Sequence, residues 1–284
     1  MGTKTNTMDL LVRHSFSLWC YDLNLLKQQG DEYPLVKTGI QLAHEAGKGV
    51  SGYFRKMREH SCDLTDDAIR MLSASEGGLI AYSSPANRAI STMENLIEGF
   101  QMYCDGRVNI DSLLATKRAK YNFAYKDDEI AELDPEGWQR YLKEKEKDGA
   151  FYAHKPDAES DFEVLKRSVQ FLEKLDYDLS YVAGGFAAIC SHMSNIQYLR
   201  AIRLAGGPKA NMNQIVKIAT TDKWKPQYAQ AVIIGPNANE TKLFPGLSVE
   251  QCVELENKLR NKELTEAALK KNLREMVNQN ILNG

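Results

Sequence analysis

The chain has 284 residues, of which 43% are hydrophobic and 26% are charged. These values are ordinary for a globular protein and exclude disorder over most of the length. The formal net charge of -2 excludes a global attraction to nucleic acid or to an anionic membrane, so any such binding has to come from local patches.

The use of cysteine indicates a reducing compartment. The five cysteines are odd in number, lie far apart and form no C-x-x-C pair, which argues against a disulfide framework or a zinc knuckle. The N-terminal residues lack an uninterrupted apolar segment after a basic start, and no stretch approaches the length of a membrane span. We therefore expect a cytoplasmic protein with no membrane partner.

The first part of the chain carries mostly helical patterns. Residues 8–29 have apolar side chains at roughly helical spacing and stop at Gly30, so the spacing predicts a first helix. A second helix is expected after Pro34. The sequence LIAYS at 79–83 is a candidate strand, and residues 86–103 again predict a helix, with apolar side chains near one face.

A change of composition predicts a boundary between two lobes. Residues 127–160 are dominated by charges and interrupted by prolines, which is typical of a solvated linker. We therefore predict an N-terminal helical lobe at 1–126 and a C-terminal helical lobe at 161–284. Ser160 and Glu163 match a capping box, which places the start of a helix at the second boundary.

The longest weakly charged run, at 178–219, predicts the core of the C-terminal lobe. Its residues 181–193 include no charged side chain, so a helix there would have no face suited to water. The later run AVIIG at 231–235 fits a buried strand or a helix end. Ser248 and Gln251 match a second capping box, after which the chain ends in two predicted helices that form a terminal arm of the C-terminal lobe. The predicted fold is therefore mainly α, with α+β and one or two short strands as the alternative, in a two-lobed helical protein.

Clusters of basic residues are the candidate binding sites. In the tract at 117–126 they alternate with aromatic residues, a pattern typical of segments that hold single-stranded RNA or DNA. The candidate residues in this tract are Lys117, Arg118, Lys120, Tyr121 and Phe123. Further candidates are Arg55, Lys56 and Arg58 in a second cluster, and Arg200 and Arg203 in a third. The alternative is a solvated surface, with the aromatic rings packed inward and the lysines extending outward.

Motifs that would fix a chemistry are absent from the sequence. His60 and Cys62 match no zinc signature, and Cys190 and His192 would point in different directions on a helix. No nucleophile-elbow, zinc-protease, Walker or dinucleotide motif is present. We therefore predict no catalytic residue, no metal and no cofactor.

These patterns favour a non-enzymatic binding or assembly protein. We expect it to bind single-stranded nucleic acid through the basic clusters, and to associate with itself or with a protein partner through its C-terminal helices. In outline the predicted architecture resembles the helical nucleoproteins of RNA viruses, although none of their motifs is present. Two alternatives remain: a viral or phage structural protein that binds no nucleic acid, and an enzyme whose site is assembled from distant residues.

Overall fold

The computed structural model describes residues 8–21, 34–59, 79–100, 104–118, 126–180, 186–221, 224–235 and 237–283. The strands in these ranges are β1 (Met8–Arg13), β2 (Leu79–Ser83), β3 (Cys104–Ile110), β4 (Phe186–Ser191), β5 (Ala231–Ile234) and β6 (Glu240–Phe244). They form a six-stranded mixed sheet in the order β3-β2-β4-β1-β5-β6. The neighbours β3, β2, β4 and β1 are parallel, whereas β5 is antiparallel to β1 and to β6.

Helices cover both faces of this sheet. In chain order they are α1 (Leu18–Tyr21), α2 (Lys37–Glu59), α3 (Asn87–Gly99), α4 (Asp127–Leu133), α5 (Pro135–Asp148), α6 (Asp161–Leu179), α7 (Met193–Leu204), α8 (Met212–Thr221), α9 (Val249–Arg260) and α10 (Glu266–Asn283). A short 3₁₀ helix, Ser112–Leu114, follows β3. Among these helices, none is long and apolar enough to cross a bilayer.

The core has two halves because successive side chains of a strand point to opposite faces of the sheet. Leu10 and Val12 of β1 belong to one half, together with buried side chains of α2, α3 and α10. Leu11 belongs to the other half, with buried side chains of α6 and α7. The protein therefore has three layers, with a mainly parallel sheet between two layers of helices.

The predicted mainly α fold is wrong. Residues 186–191, predicted as part of a buried core helix, form the parallel strand β4, and all six are buried. Residues 8–13, predicted as the start of a helix, form the central strand β1. A strand covered on both faces is continuously apolar, and its pattern does not differ from that of a short buried helix. The physical reason for the error is therefore the burial of both strand faces.

The predicted two-lobed arrangement is also wrong, because strands from both predicted lobes pair in one sheet. Strand β1 comes from the predicted N-terminal lobe, yet it pairs with β4 and β5 from the predicted C-terminal lobe. The charged segment at 127–160 contains helices α4 and α5, and no residue of α5 is fully buried. The prediction that 1–126 and 161–284 are separate domains joined by the segment 127–160 stays a prediction.

The predictions that rest on local chemistry are confirmed. The Ser160 hydroxyl accepts the Glu163 backbone N–H at 3.2 Å, and the Ser160 N–H donates to the Glu163 carboxylate at 2.9 Å. Helix α6 therefore begins at its predicted capping box. The sequence LIAYS forms β2 as predicted, and 231–234, which fitted either a buried strand or a helix end, forms β5.

The two C-terminal helices pack on their own chain. Leu269, Leu273 and Val277 of α10 are buried in the half of the core that contains α2. The carboxylate of Glu256 on α9 accepts hydrogen bonds from the Thr38 backbone N–H at 3.1 Å and from its hydroxyl at 2.9 Å. It thereby caps the first turn of α2. Self-association through these helices stays a prediction.

Helices α2 and α3 cross at a contact that excludes side chains. A Cβ atom on Gly47 of α2 would overlap the backbone carbonyl of Leu96, and one on Gly99 of α3 would overlap that of His44. We expect Gly47→Ala to lower the free energy of unfolding by about 1–3 kcal/mol, because the helices must move apart to admit the methyl group. Urea unfolding measures this change.

Gly49→Ala is the matched control, since it gives the same gain in helix propensity in the same helix. A Cβ on Gly49 would lie 3.2 Å from Cγ1 of Val277, a side chain that can adjust. Equal stability of the Gly47 and Gly49 variants would contradict a rigid crossing.

Candidate active site

Polar side chains follow three neighbouring parallel strands at the point where each strand ends. His14 follows β1, His192 follows β4 and Ser84 follows β2. The ladder continues into these residues, because the His14 N–H donates to the Ser191 carbonyl at 2.8 Å and the Ser84 N–H donates to the Cys190 carbonyl at 3.0 Å. In open α/β sheets, ligands bind at the carboxyl ends of the strands. These side chains therefore lie where the fold places its functional site.

Two histidine rings form the centre of the cluster. The ring centroids of His14 and His192 are 5.1 Å apart. The two residues are only 5% and 6% exposed, so little solvent competes for their nitrogens. Such a pair can take part in proton transfer, metal binding or nucleophilic attack.

Arg13 is held beside His14 by the segment that precedes β5. Its Nη1 atom donates to the Pro226 carbonyl at 2.7 Å, and its Cζ atom lies 3.9 Å from the centre of the Tyr228 ring. The Tyr228 ring centroid is also 5.8 Å from that of His14. These contacts place a cationic group beside His14, where it can meet an anion.

A second arginine reaches the site from the first turn of α3. Arg88 is 5% exposed, and its Nη2 atom lies 3.3 Å from Nδ1 of His192. On the other side of the same ring, the Ser84 hydroxyl lies 2.8 Å from Nε2 of His192. The site thus combines one buried and one half-buried guanidinium group with two imidazoles, which is a chemistry suited to a phosphoryl group.

Both histidines are held neutral. Burial is the largest cause that lowers the pKa of His14 well below its ordinary value, followed by the neighbouring His192, Arg88 and Arg13. Burial and the charges of Arg88, Arg13 and Arg167 lower the pKa of His192 in the same way. A neutral imidazole keeps a lone pair on one nitrogen, so either ring can act as a nucleophile or base at neutral pH.

The backbone around His14 is fixed by three further hydrogen bonds. The Ser15 N–H donates to Oγ1 of Thr92 at 2.8 Å, and Thr92 donates to the Arg88 carbonyl at 2.6 Å. The Ser15 hydroxyl donates to the Gly39 carbonyl at 2.7 Å. These contacts tie the end of β1 to α2 and α3, so the histidine and the arginines share one rigid support.

Helix N-termini add positive potential at the same edge. Helix α7 begins directly after His192, and α3 begins at Asn87, next to Arg88. Neither helix has an acidic residue in its first turn. The partial positive charges of both termini therefore remain available to an anion.

The described residues contain no group of three or more side chains suited to hold a metal ion. The carboxylate at the end of β3, Asp111, accepts from the Leu113 N–H at 2.9 Å and lies 2.6 Å from Nζ of Lys174. It thus caps the 3₁₀ helix and pairs with a lysine.

The predicted nucleic-acid residues that the structure describes lie on three separate segments of the chain. Arg55 and Arg58 are exposed on α2, and Lys56 is half-buried there. Lys117 pairs with Asp161 at 2.8 Å, and Arg118 is exposed. Three more predicted residues lie outside the described ranges: Lys120, Tyr121 and Phe123.

The third predicted cluster has structural partners. Nη2 of Arg200 lies 2.6 Å from the Glu240 carboxylate. Arg203 is 8% exposed, contacts Asp9 through Nε, and places Nη2 2.7 Å from Asp176. Burial lowers the pKa of Arg203, but the two carboxylates outweigh it and raise that pKa. Arg203 therefore balances charges inside the protein.

Replacing Arg203 with methionine is expected to destabilise the protein by about 3–5 kcal/mol, because Asp9 loses its charge partner in the interior. Burial already raises the pKa of Asp9, and Arg203 opposes that rise, so the variant's Asp9 pKa should be higher still. When the pKa of Asp9 is higher in the folded state than in the unfolded state, the folded state holds the proton more tightly. The resulting contribution to stability is fully present below the unfolded-state pKa and is lost as the pH rises through the folded-state pKa. The deficit should therefore grow from mildly acidic to mildly alkaline pH in urea unfolding.

The double variant Asp9→Asn with Arg203→Met is the control for this pH dependence. It removes the titrating carboxyl and should abolish the added dependence on pH. A deficit of Arg203→Met that is constant across this pH range would contradict the assignment to Asp9.

Sequence reasoning missed the residues of this site. His192 was predicted to be a core residue, and no role was predicted for Arg13, His14, Ser84 or Arg88. A signal was nevertheless present, because the apolar runs at 10–12, 79–82 and 186–190 are each followed by a basic or hydroxyl-bearing residue. Read as parallel strands, these runs bring their polar ends to one edge of a sheet.

Comparisons with known proteins show the fold. The sequence matches no protein-family model and no curated protein. An Escherichia coli protein assigned as an alpha-ribazole-5'-P phosphatase aligns over 83% of this chain and 94% of its own, with a TM-score of 0.52 and 15% identity. The alpha-ribazole phosphatase of Shigella flexneri aligns over 80% and 90%, with a TM-score of 0.51 and 16% identity. Bacillus stearothermophilus YhfR aligns over 86% and 98%, with a TM-score of 0.50 and 17% identity.

The shared α/β fold overturns the functional prediction. The structural neighbours include phosphatases. They therefore contradict the prediction of a non-enzymatic protein, of viral or phage type, that binds nucleic acid or serves assembly. The prediction that the chain is more probably not an enzyme is wrong for the same reason. The alternative of an enzyme whose site is assembled from distant residues agrees better with the fold and with the cluster at 13–14, 84–88 and 192.

Proposed function

We propose that this protein is a histidine phosphatase that hydrolyses phosphate monoesters. The observation that carries the proposal is the buried pair His14 and His192, set between the guanidinium groups of Arg13 and Arg88 at the carboxyl ends of β1 and β4. The fold shared with the alpha-ribazole phosphatase of Shigella flexneri supports it.

His14 is the proposed nucleophile. Its Nδ1 atom lies 2.9 Å from the Ser15 carbonyl oxygen. A carbonyl only accepts hydrogen bonds, so Nδ1 carries the proton and the lone pair is on Nε2. The low pKa keeps this nitrogen unprotonated at neutral pH. Nε2 can therefore attack phosphorus directly, without a separate base.

The proposed reaction has two steps. Nε2 of His14 forms a bond to phosphorus while the ester P–O bond breaks, and the leaving oxygen takes a proton from water to give the alcohol and a hydroxide ion. A water molecule then attacks phosphorus in the phosphohistidine, the P–N bond breaks, and the proton that this water loses neutralises the hydroxide as inorganic phosphate is released. In both steps the negative charge on the phosphoryl oxygens faces Arg13, Arg88 and the two helix N-termini, which stabilise it most in a site from which water is excluded.

The test is phosphate release from p-nitrophenyl phosphate and a panel of sugar and nucleoside monophosphates, combined with trapping of the intermediate. We expect steady turnover, and a phosphoenzyme that is labile in acid and stable in base when substrate labelled at phosphorus is used. Absence of turnover across the panel, together with absence of a labelled enzyme, would overturn the proposal.

We also propose an intracellular, reducing location, as the cysteine usage predicts. The buried thiols of Cys190 and Cys252 are compatible with it, because neither is part of a disulfide.

A further inference from the structure

The imidazole of His192 is contacted at both ring nitrogens by side chains of the segment that follows β2. Ser84 Oγ lies 2.8 Å from Nε2 of His192, and Nη2 of Arg88 lies 3.3 Å from Nδ1. Ser84 is fully buried, so its hydroxyl is shielded from solvent, and the described contact that links it to the reacting groups is the one with His192. A role for Ser84 must therefore act through His192.

The donors and acceptors in this chain fix the tautomer of His192. A guanidinium group has only donors, so Nδ1 must accept from Arg88 and carries the lone pair. The proton of the neutral ring is then on Nε2, which donates to Ser84 Oγ. The Ser84 oxygen can receive this bond and also faces the Ala86 N–H at 3.4 Å. Only this tautomer satisfies both contacts of the ring.

We infer that Ser84 is a positioning residue for the phosphatase reaction: it holds His192 in the Nε2–H tautomer, so that the Nδ1 lone pair orients the guanidinium of Arg88 toward the phosphoryl group. This inference rests on the proposed function and extends it to a residue outside the reacting set. Without the Ser84 hydroxyl the ring can move its proton to Nδ1. That nitrogen would then present a donor to the donor Arg88, which would be displaced.

The groups around the ring favour the same state. Arg88, Arg13 and Arg167 surround His192 with positive charge, and the His14 ring is the neighbouring titratable group. A second proton on His192 would add to this charge, so the ring is neutral before an anion binds. The neutral ring carries its proton on one nitrogen only, and the hydrogen bond to Ser84 favours the tautomer with the proton on Nε2.

The first experiment measures kcat and KM for p-nitrophenyl phosphate in Ser84→Ala and Ser84→Thr. We expect kcat/KM of Ser84→Ala to fall about 10–100-fold, the usual loss when a residue that orients a catalytic ligand is removed. Ser84→Thr keeps the hydroxyl and should recover most of the activity. Ser83→Ala is the matched control, because Ser83 is equally buried but donates only to the Ser84 carbonyl at 2.9 Å.

The second experiment reads the tautomer directly by ¹⁵N NMR of histidine-labelled protein, with the His192 signals assigned by their loss in His192→Gln. We expect a protonated Nε2 and an unprotonated Nδ1 in the wild type, and a mixture of tautomers in Ser84→Ala. A wild-type spectrum with the proton on Nδ1 would overturn the inference. So would a Ser84→Ala variant as active as Ser83→Ala.

These outcomes separate the inference from the proposed function. If the wild type releases no phosphate from any substrate, the phosphatase proposal fails, and with it the catalytic role of Ser84. The NMR spectrum of the wild type still decides whether Ser84 fixes the tautomer. If Ser84→Ala does not fold, the wild-type spectrum and the activity of Ser84→Thr relative to Ser83→Ala carry the test, and a Thr variant with little activity counts against the inference.

Discussion

Replacing His14 with asparagine is expected to lower phosphatase activity by about 10⁴-fold or more, the loss typical when a covalent nucleophile is removed. Asparagine can still donate a hydrogen bond to the Ser15 carbonyl, so the backbone at the end of β1 should keep its conformation. The variant should therefore melt close to the wild type while it fails to form the labelled phosphoenzyme. Initial rates measure the loss of activity, and labelling quenched in alkaline detergent, in which phosphohistidine is stable, measures the loss of the phosphoenzyme.

His154→Asn is the matched control for this substitution. The His154 side chain is 57% exposed and faces Glu163 at 3.6 Å, so the same chemical change occurs at the surface. Its activity and its labelling should equal those of the wild type. A His14→Asn variant that still turns over near the wild-type rate would assign the nucleophile to another residue.

Deleting the chain after Pro245 is expected to leave no folded remainder. The deletion removes Leu269, Leu273 and Val277, which are at most 4% exposed and pack in the core around α2. Removing a large buried apolar side chain typically costs about 2–5 kcal/mol, so three of them approach the whole stability of about 5–15 kcal/mol. The deletion also removes Glu256, which caps the first turn of α2. Loss of a cooperative melting transition is the expected result.

A point substitution tests the same packing without truncation. Leu273→Ala should lower the free energy of unfolding by about 2–5 kcal/mol. Leu142→Ala is the matched control, since Leu142 on α5 is 40% exposed and should change little. A truncated chain that folds and forms an assembly with fewer subunits than the full chain would instead support the prediction that these helices mediate self-association.

Local interactions explain which predictions succeeded. The capping boxes at Ser160 and Ser248 depend on residues three positions apart, so the sequence contains the whole interaction. The apolar faces of helices α3 and α6 also depend on residues three and four positions apart, so they too can be read from the sequence. The segment at 127–160, by contrast, was predicted to be a linker because its charges have no apolar partner nearby, yet it forms two surface helices.

The amino-acid sequence by itself determined the starts of helices α6 and α9, the strand β2 and the absence of a strong global charge. Only the tertiary structure decided that the apolar runs at 10–12 and 186–190 belong to adjacent parallel strands, because a run buried on both faces has no periodicity that separates strand from helix. His14 and His192 are 178 positions apart in the sequence. The strand pairing brings their ring centroids to 5.1 Å from each other. The candidate active site exists through this non-local pairing, and no local pattern encodes it.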